Sequence, residues 1–284
     1  MTSKNLISYK LRKSIISNLI AWIFGLIWLI PFLGVLMASI RPFKEILYGW
    51  WNFDELHLSL QNFINALNHP MFPMKDGLLN SLTIAVPSTI VPLIIAALAA
   101  YAFARYSFPI KTYLFAFIVF LLAVPQQMTV VPLYFLLRNM HLLNTFRGLI
   151  LVHSAWGLAW IIFFMRNYFS LLPVDVEEAA KIDGASDFKI FYKIVLPMAL
   201  PGLISAAILQ FTWVWSDFFL ALVFLQNPSR YVATQRLPLL RGQYFVDWSL
   251  LSAASILVMI VPLFVYAVFQ KYYISGMIGW STEK

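Results

Sequence analysis

The stretch SIISNLIAWIFGLIWLIPFLGVLMASI, residues 14–40, contains no charged side chain in 27 positions. A helix needs about 20 predominantly apolar residues to cross the hydrocarbon core of a bilayer, so this segment is long enough to span one. Five more uncharged stretches of comparable length follow, at residues 77–104, 112–137, 148–165, 194–216 and 248–270. None alternates in the manner of a membrane barrel, and in lipid every backbone donor and acceptor must be satisfied within the segment; helices are therefore the remaining solution. The sequence predicts an all-α, polytopic membrane protein with six transmembrane helices. Composition agrees, with 61% hydrophobic and 17% aromatic residues and a mean hydropathy of +0.79.

Lys4, Lys10, Arg12 and Lys13 precede the first stretch. A cleaved signal would carry an apolar region of only about 7–15 residues, so the first stretch reads as a retained helix. The basic cluster places the N-terminus in the cytoplasm, and six spans return the C-terminus to the same side. Twelve Lys and Arg then fall inside and eight outside. The formal net charge of +8 comes from residues scattered among loop ends rather than gathered with stacking aromatics, which points to a lipid membrane and not to nucleic acid. The longest loops, 41–76 and 166–193, are too short for cores of their own, so residues 1–284 read as a single transmembrane domain. With no cysteine, disulfides, thiol catalysis and thiolate metal sites are excluded.

One loop is unusually polar. Residues 177–197, EEAAKIDGASDFKIFYKIVLP, carry seven charged side chains. Asp175, Glu177 and Glu178 follow Pro173, as in the first turn of a helix, and Glu177 and Lys181 are spaced as an i,i+4 pair. Gly184 supplies a turn residue, Ser186 an N-cap, and Phe188, Phe191, Tyr192 and Val195 the apolar face of a second short helix. Residues 173–197 thus read as helix, glycine turn, helix on the cytoplasmic side, which periodicity alone leaves as a surface hairpin.

The spacing Glu178-Ala179-Ala180, Gly184, Ile194, Leu196-Pro197 fixes seven positions over 20 residues and resembles the EAA signature of permease subunits of ATP-binding-cassette importers. Nearly the whole chain resembles their carbohydrate branch, similar to the second maltose permease: residues 39–46, Asn62-Phe63, Asn80-Ser81-Leu82, Ala99 through Arg105, Pro132-Leu133-Tyr134, Leu143-Asn144-Thr145, Phe164-Met165-Arg166 and Asp183-Gly184-Ala185. It departs from that branch at Trp215-Ser216-Asp217-Phe218, where a Trp-Asn-Glu-Phe phrase is usual, and at its tail, residues 276–280. The resemblance implies a type I importer permease architecture in the inner or plasma membrane. It also implies a second homologous permease, two cytoplasmic ATPase subunits and an extracytoplasmic sugar-binding protein, the latter touching loops 41–76 and 226–247. Glu178, Ala179, Ala180, Gly184, Leu196 and Pro197, with Asp183 and Ala185 beside them, become the ATPase-coupling residues.

The chain has no G-x-x-x-x-G-K-[ST] segment and no H-E-x-x-H. It is expected not to be an enzyme, with ATP and Mg bound by the partner ATPases and no cofactor or metal in this chain. His57, His69, His141 and His153 are isolated from one another in sequence, and Ser186-x-x-Lys189 lacks the companions of a hydrolase motif. Polar residues at membrane depth remain as candidates for the translocation path. Gln126 and Gln127 follow Pro125, where they either face a cavity beside a kink or join helices. Asp217, with Trp215 near it, either lines the path or reaches the outer surface as span five ends. Prolines 87, 92, 125, 132, 201 and 262 are expected to break or bend spans. The alternatives are an importer permease for an amino acid, peptide or phosphonate, and an ion-coupled transporter using Asp217. A lone acid and no visible inverted repeat argue against the second.

Overall fold

The computed structural model describes residues 3–242 and 244–278, with side chains for 16–242 and 244–272. Among the described residues the regular elements are all helical. In chain order they are α1 (Ser3–Ser39), α2 (Phe43–Ile46), α3 (Gln61–Leu67), α4 (Met74–Arg105), α5 (Lys111–Leu122), α6 (Gln126–Asn139), α7 (Phe146–Leu171), α8 (Asp175–Ile182), α9 (Asp187–Ile190), α10 (Leu196–Met198), α11 (Leu200–Ser216), α12 (Phe219–Phe224), α13 (Ala233–Leu239) and α14 (Trp248–Ile278). A π-helical turn, Phe191–Val195, joins α9 to α10.

Two compact units emerge, one of residues 1–70 and 240–257, the other of 71–239 and 258–284. In the first, the apolar part of α1, Ile16–Ser39, is long enough to span a membrane, and side chains all around its circumference are exposed, from Trp22 to Phe32. Such a helix is stable only in lipid or against another chain, because in water its surface would cost roughly 25 cal/mol per Å². After α1 the chain is pinned by Arg41, which is 1% exposed. Its Nε donates to Glu45 Oε2 at 2.9 Å, Nη1 to the Trp50 carbonyl at 3.3 Å and Nη2 to the Glu55 carbonyl at 2.7 Å. Asn62 donates to the carbonyls of Ser39 and Arg41. The resembling residues 39–46 and Asn62 thus form one hydrogen-bonded corner.

The second unit is built on α4, α7 and α11. Alanines 96, 97 and 100 let α4 approach its neighbours closely, and Ile161, Met165, Phe169, Leu203 and Ala206 fill the space. A second cluster, including Ile84, Val152, Phe211, Val214, Trp215 and Phe224, continues the core toward α12. Prolines within these helices leave carbonyls without their i+4 donors, and α11 supplies substitutes. Pro92 cannot donate to Ser88, whose carbonyl accepts from Gln210 Nε2 at 3.1 Å; Pro262 cannot donate to Val258, whose carbonyl accepts from Trp215 Nε1 at 3.0 Å. The fully buried Gln210 also donates to the His153 carbonyl and accepts from Trp160 Nε1 at 2.8 Å. It sits against Gly157, where a Cβ would lie 2.6 Å from Gln210 Nε2 and push the amide out of this position.

Among the described residues four helices are individually long and apolar enough to span a membrane, and up to six spans result if each of two bent pairs counts as one. The third predicted span is not a mildly kinked helix. α5 and α6 meet at 100°, since Pro125 takes an extended conformation (ψ 134°) and starts α6 afresh. The fifth predicted span, residues 194–216, begins inside the π turn, and its direction changes by 72° at Ala199.

Candidate functional site

Three acids near the start of α8, Asp175, Glu177 and Glu178, suit the positive end of its dipole. Gly184 then adopts φ +78°, a left-handed conformation that glycine takes without a Cβ penalty, and turns the chain toward α9. Ser186 occupies the N-cap position of α9 with extended backbone but makes no side-chain capping bond. The hairpin predicted from sequence is therefore present.

Its internal pairing differs from expectation. Glu177 does not pair with Lys181. Its carboxylate is 5% exposed and reaches back to the end of α4, accepting from Tyr101 Oη and from Arg105 Nε, each at 2.8 Å. Arg105 Nη2 also donates to the carbonyl of Leu172. Lys181 instead lies 3.4 Å from Asp187 across the turn, both half exposed. A solvated i,i+4 pair contributes little, whereas Tyr101 and Arg105 satisfy both oxygens of a carboxylate that packing has removed from water, so the long-range partners take it.

The predicted apolar face also divides. Phe191 and Val195 are buried with Ile190, Phe191 packing 4.9 Å from Tyr101 and 6.4 Å from Phe169. Phe188 and Tyr192 are exposed at 72% and 61%, and Ile182, before the turn, at 88%. Of the predicted coupling residues, Glu178, Ala179, Asp183, Gly184 and Pro197 are exposed, while Ala180, Ala185 and Leu196 are half-buried. The hairpin thus exposes the apolar side chains of Ile182, Phe188 and Tyr192 on either side of the glycine turn, on a base hydrogen-bonded to α4 and packed on α7.

The residues predicted for the translocation path are separated. Gln126 lines a groove of about 460 Å³ with Thr129, Leu133, Trp156, Trp160 and Trp213. Gln127 is exposed and outside that lining. Trp215 is 2% exposed, stacks on Phe211 at 5.7 Å and spends its N–H on Val258. Asp217 ends α11 and caps α12, accepting from the amides of Leu220 and Ala221, while its carbonyl accepts from Thr234 Oγ1. Its Oδ2 lies 3.7 Å from Nε2 of the buried His153, and both line a pocket of only about 10 Å³.

Sequence reasoning passed over Gln210, a single amide in an apolar run with no neighbouring proline, whereas Gln126 and Gln127 were singled out behind Pro125. Arg105, the charge that closes the second uncharged run, also carried a signal. In the other unit, His57 Nδ1 lies 2.8 Å from Glu45 Oε1, and ligand atoms of Glu45, Glu55 and His57 fall within 4.8 Å of one another. The Arg41 guanidinium already occupies Glu45, so this is a charge network. Burial pushes the Glu45 carboxyl up, and hydrogen bonds from Arg41 and His57 outweigh that, holding it below the ordinary carboxylate value.

Apolar spans, broken helices and an exposed hairpin between two of them describe a polytopic membrane protein. The chain belongs to the family of binding-protein-dependent transport system inner membrane components, which matches residues 92–279. A probable ABC transporter permease protein of Pyrococcus horikoshii is 80% identical, covering 97% of this chain and 100% of that one. The alpha-glucoside transport system permease protein of Rhizobium meliloti is 43% identical over 72% of this chain and 56% of its own length. Among solved structures, a chain from a bacterial ABC transporter involved in the import of the acidic polysaccharide alginate shares the fold. It has a TM-score of 0.79 and 22% identity, covering 96% of this chain and 99% of that one.

Proposed function

We propose that the protein is the translocation subunit of an ATP-driven, binding-protein-dependent sugar importer, with alpha-glucosides as the first cargo to test. In this reading it pairs with a second permease, two ATPase subunits that bind ATP and Mg dock on residues 173–197 in the cytoplasm, and both termini lie on that side. The observation that carries the coupling assignment is the hairpin's exposed apolar surface, Ile182, Phe188 and Tyr192, set on an anchored base. Apolar groups this exposed, at the Gly184 turn of a matched motif, fit a partner protein. The cargo class rests on the alpha-glucoside relative. The groove beside Gln126 fits a sugar path, because indole faces stack on sugar rings and an amide and a hydroxyl meet their hydroxyls.

No covalent step is needed in this subunit. ATP acts by favouring one arrangement of the paired ATPases, and their closure shifts the docked hairpins between two states of the bundle. Because the chain has no native cysteine, single cysteines at Ala185 and in the ATPase provide the test. A disulfide cross-link that changes with ATP, together with binding-protein-dependent uptake of an alpha-glucoside, supports the proposal. Uptake abolished by a protonophore at constant ATP, with no cross-link in the assembled complex, would sink it.

A further inference from the structure

Resting on the reading of α8 and α9 as the ATPase-docking hairpin, we infer that Glu177, Arg105 and Tyr101 are the linkage by which displacement of that hairpin reaches α4. The hairpin, α4 and α7 then move together, with α11, which is packed on both helices, carried along through that core.

Both limbs of the hairpin are attached to the same two helix ends. On the first limb, both oxygens of the Glu177 carboxylate are taken by residues one helical turn apart on α4, Tyr101 and Arg105. The second arm of Arg105 holds the carbonyl of Leu172, in the short connection from α7 into α8. On the second limb, Phe191 packs against the rings of Tyr101 on α4 and Phe169 on α7, which also touch each other, and Ile190 is fully buried in the same cluster. Beyond that limb the chain bends by 72° before α11. The covalent route from hairpin to α11 therefore runs through a break. The non-covalent route to α4 is short, buried and charge-assisted.

A rigid shift follows the stiffer connection, and packed elements move as bodies between discrete arrangements. Glu178, the next residue, is exposed and bears no such bond to α4, which leaves it for the partner surface. Two neighbouring carboxylates thus divide the work, one gripping this subunit and one available outside it. Glu177, Arg105 and Tyr101 are positioning residues, and their contribution lies in what one ATP accomplishes rather than in whether the subunits meet.

The test uses the full complex in proteoliposomes with its binding protein, the Ala185 cysteine cross-link as the docking readout, and sugar moved per ATP hydrolysed as the coupling readout. Glu177→Gln keeps the shape and removes the charge; Arg105→Lys keeps the charge and removes the fork; Tyr101→Phe removes one hydrogen bond. The expected result is an intact cross-link and continued ATP hydrolysis, with sugar per ATP down about tenfold in Glu177→Gln and less in Tyr101→Phe. If Glu177→Gln does not assemble, the other two variants decide, since both leave the carboxylate partnered. An unchanged ratio with the cross-link retained overturns the linkage alone. A ratio that falls only in step with the cross-link also overturns it, because the contacts then merely hold the hairpin in place. No cross-link in the complex without these substitutions removes the docking reading and the linkage with it.

Discussion

The hairpin around Gly184 and the groove beside Gln126 both present apolar side chains outward, yet they are fixed by different chemistry. Beneath the hairpin, a buried carboxylate is held by a guanidinium and a phenol at the end of α4. Behind the groove, Trp160 is held by the neutral Gln210, deep within the apolar run of α11. The difference follows depth. A charge at the centre of a spanning helix costs about 2.5–3.5 kcal/mol by insertion scales, whereas an amide can complete neutral backbone groups there. At the end of a span a charged pair is affordable and stronger. The surface proposed to dock the ATPase carries the charged anchor; the surface proposed to meet a neutral sugar ring carries the neutral one.

Replacing Gln210 is the severest challenge to that contrast. Gln210→Leu strips partners from the Ser88 and His153 carbonyls and from the Trp160 indole, and is expected to cost about 3 kcal/mol, read as a lower unfolding temperature of the purified complex. Wild-type melting would show that the groove wall does not depend on the amide. Gly184→Val comes next. Its Cβ meets nothing, so the cost is the left-handed backbone alone, about 1–2 kcal/mol, and ATPase binding should weaken by about tenfold, measured by titration. Undiminished binding would mean the turn geometry is irrelevant to docking.

A pair of indoles sharpens the contrast further. Trp156→Ala should raise the concentration needed for half-maximal sugar uptake by about threefold to tenfold, while Trp215→Phe should cost about 1 kcal/mol of stability and leave cargo preference unchanged. The reverse pattern would return the path to Trp215. The smallest effect on folding belongs to Ile182→Ser, expected within about 0.5 kcal/mol of wild type, because the side chain is already in solvent. Its consequence should appear only as weaker ATPase binding.

The contrast between Glu177 and Glu178 shows what the sequence could carry. Spacing identified Glu178 as the motif position, and it is the exposed one. Local periodicity gave Glu177 to Lys181 because the true partner, Arg105, is 72 residues away and nothing local announces it. The uncharged runs overlap α1, α4, α7 and α14, since crossing lipid is a requirement on composition and length. They could not reveal that α5 and α6 stand at 100°, because Pro125 permits a mild kink and a full break alike. Trp215 and Asp217 were legible as unusual residues at membrane depth. Their partners, a carbonyl on α14 and the amides of α12, depend on tertiary placement.

Pro92 and Pro262 deserve a different description from bends. A helix interior ordinarily offers a neighbour nothing but side chains, and every turn along it is much like the next. Each of these prolines opens one carbonyl in an otherwise closed ladder, and α11 inserts Gln210 at one and Trp215 at the other. If α11 slid by one turn along either neighbour, the opened carbonyl would be left without its donor. The prolines therefore act as index marks that fix where α11 stops, and substituting alanine would erase the mark while making the helix that bore it more regular.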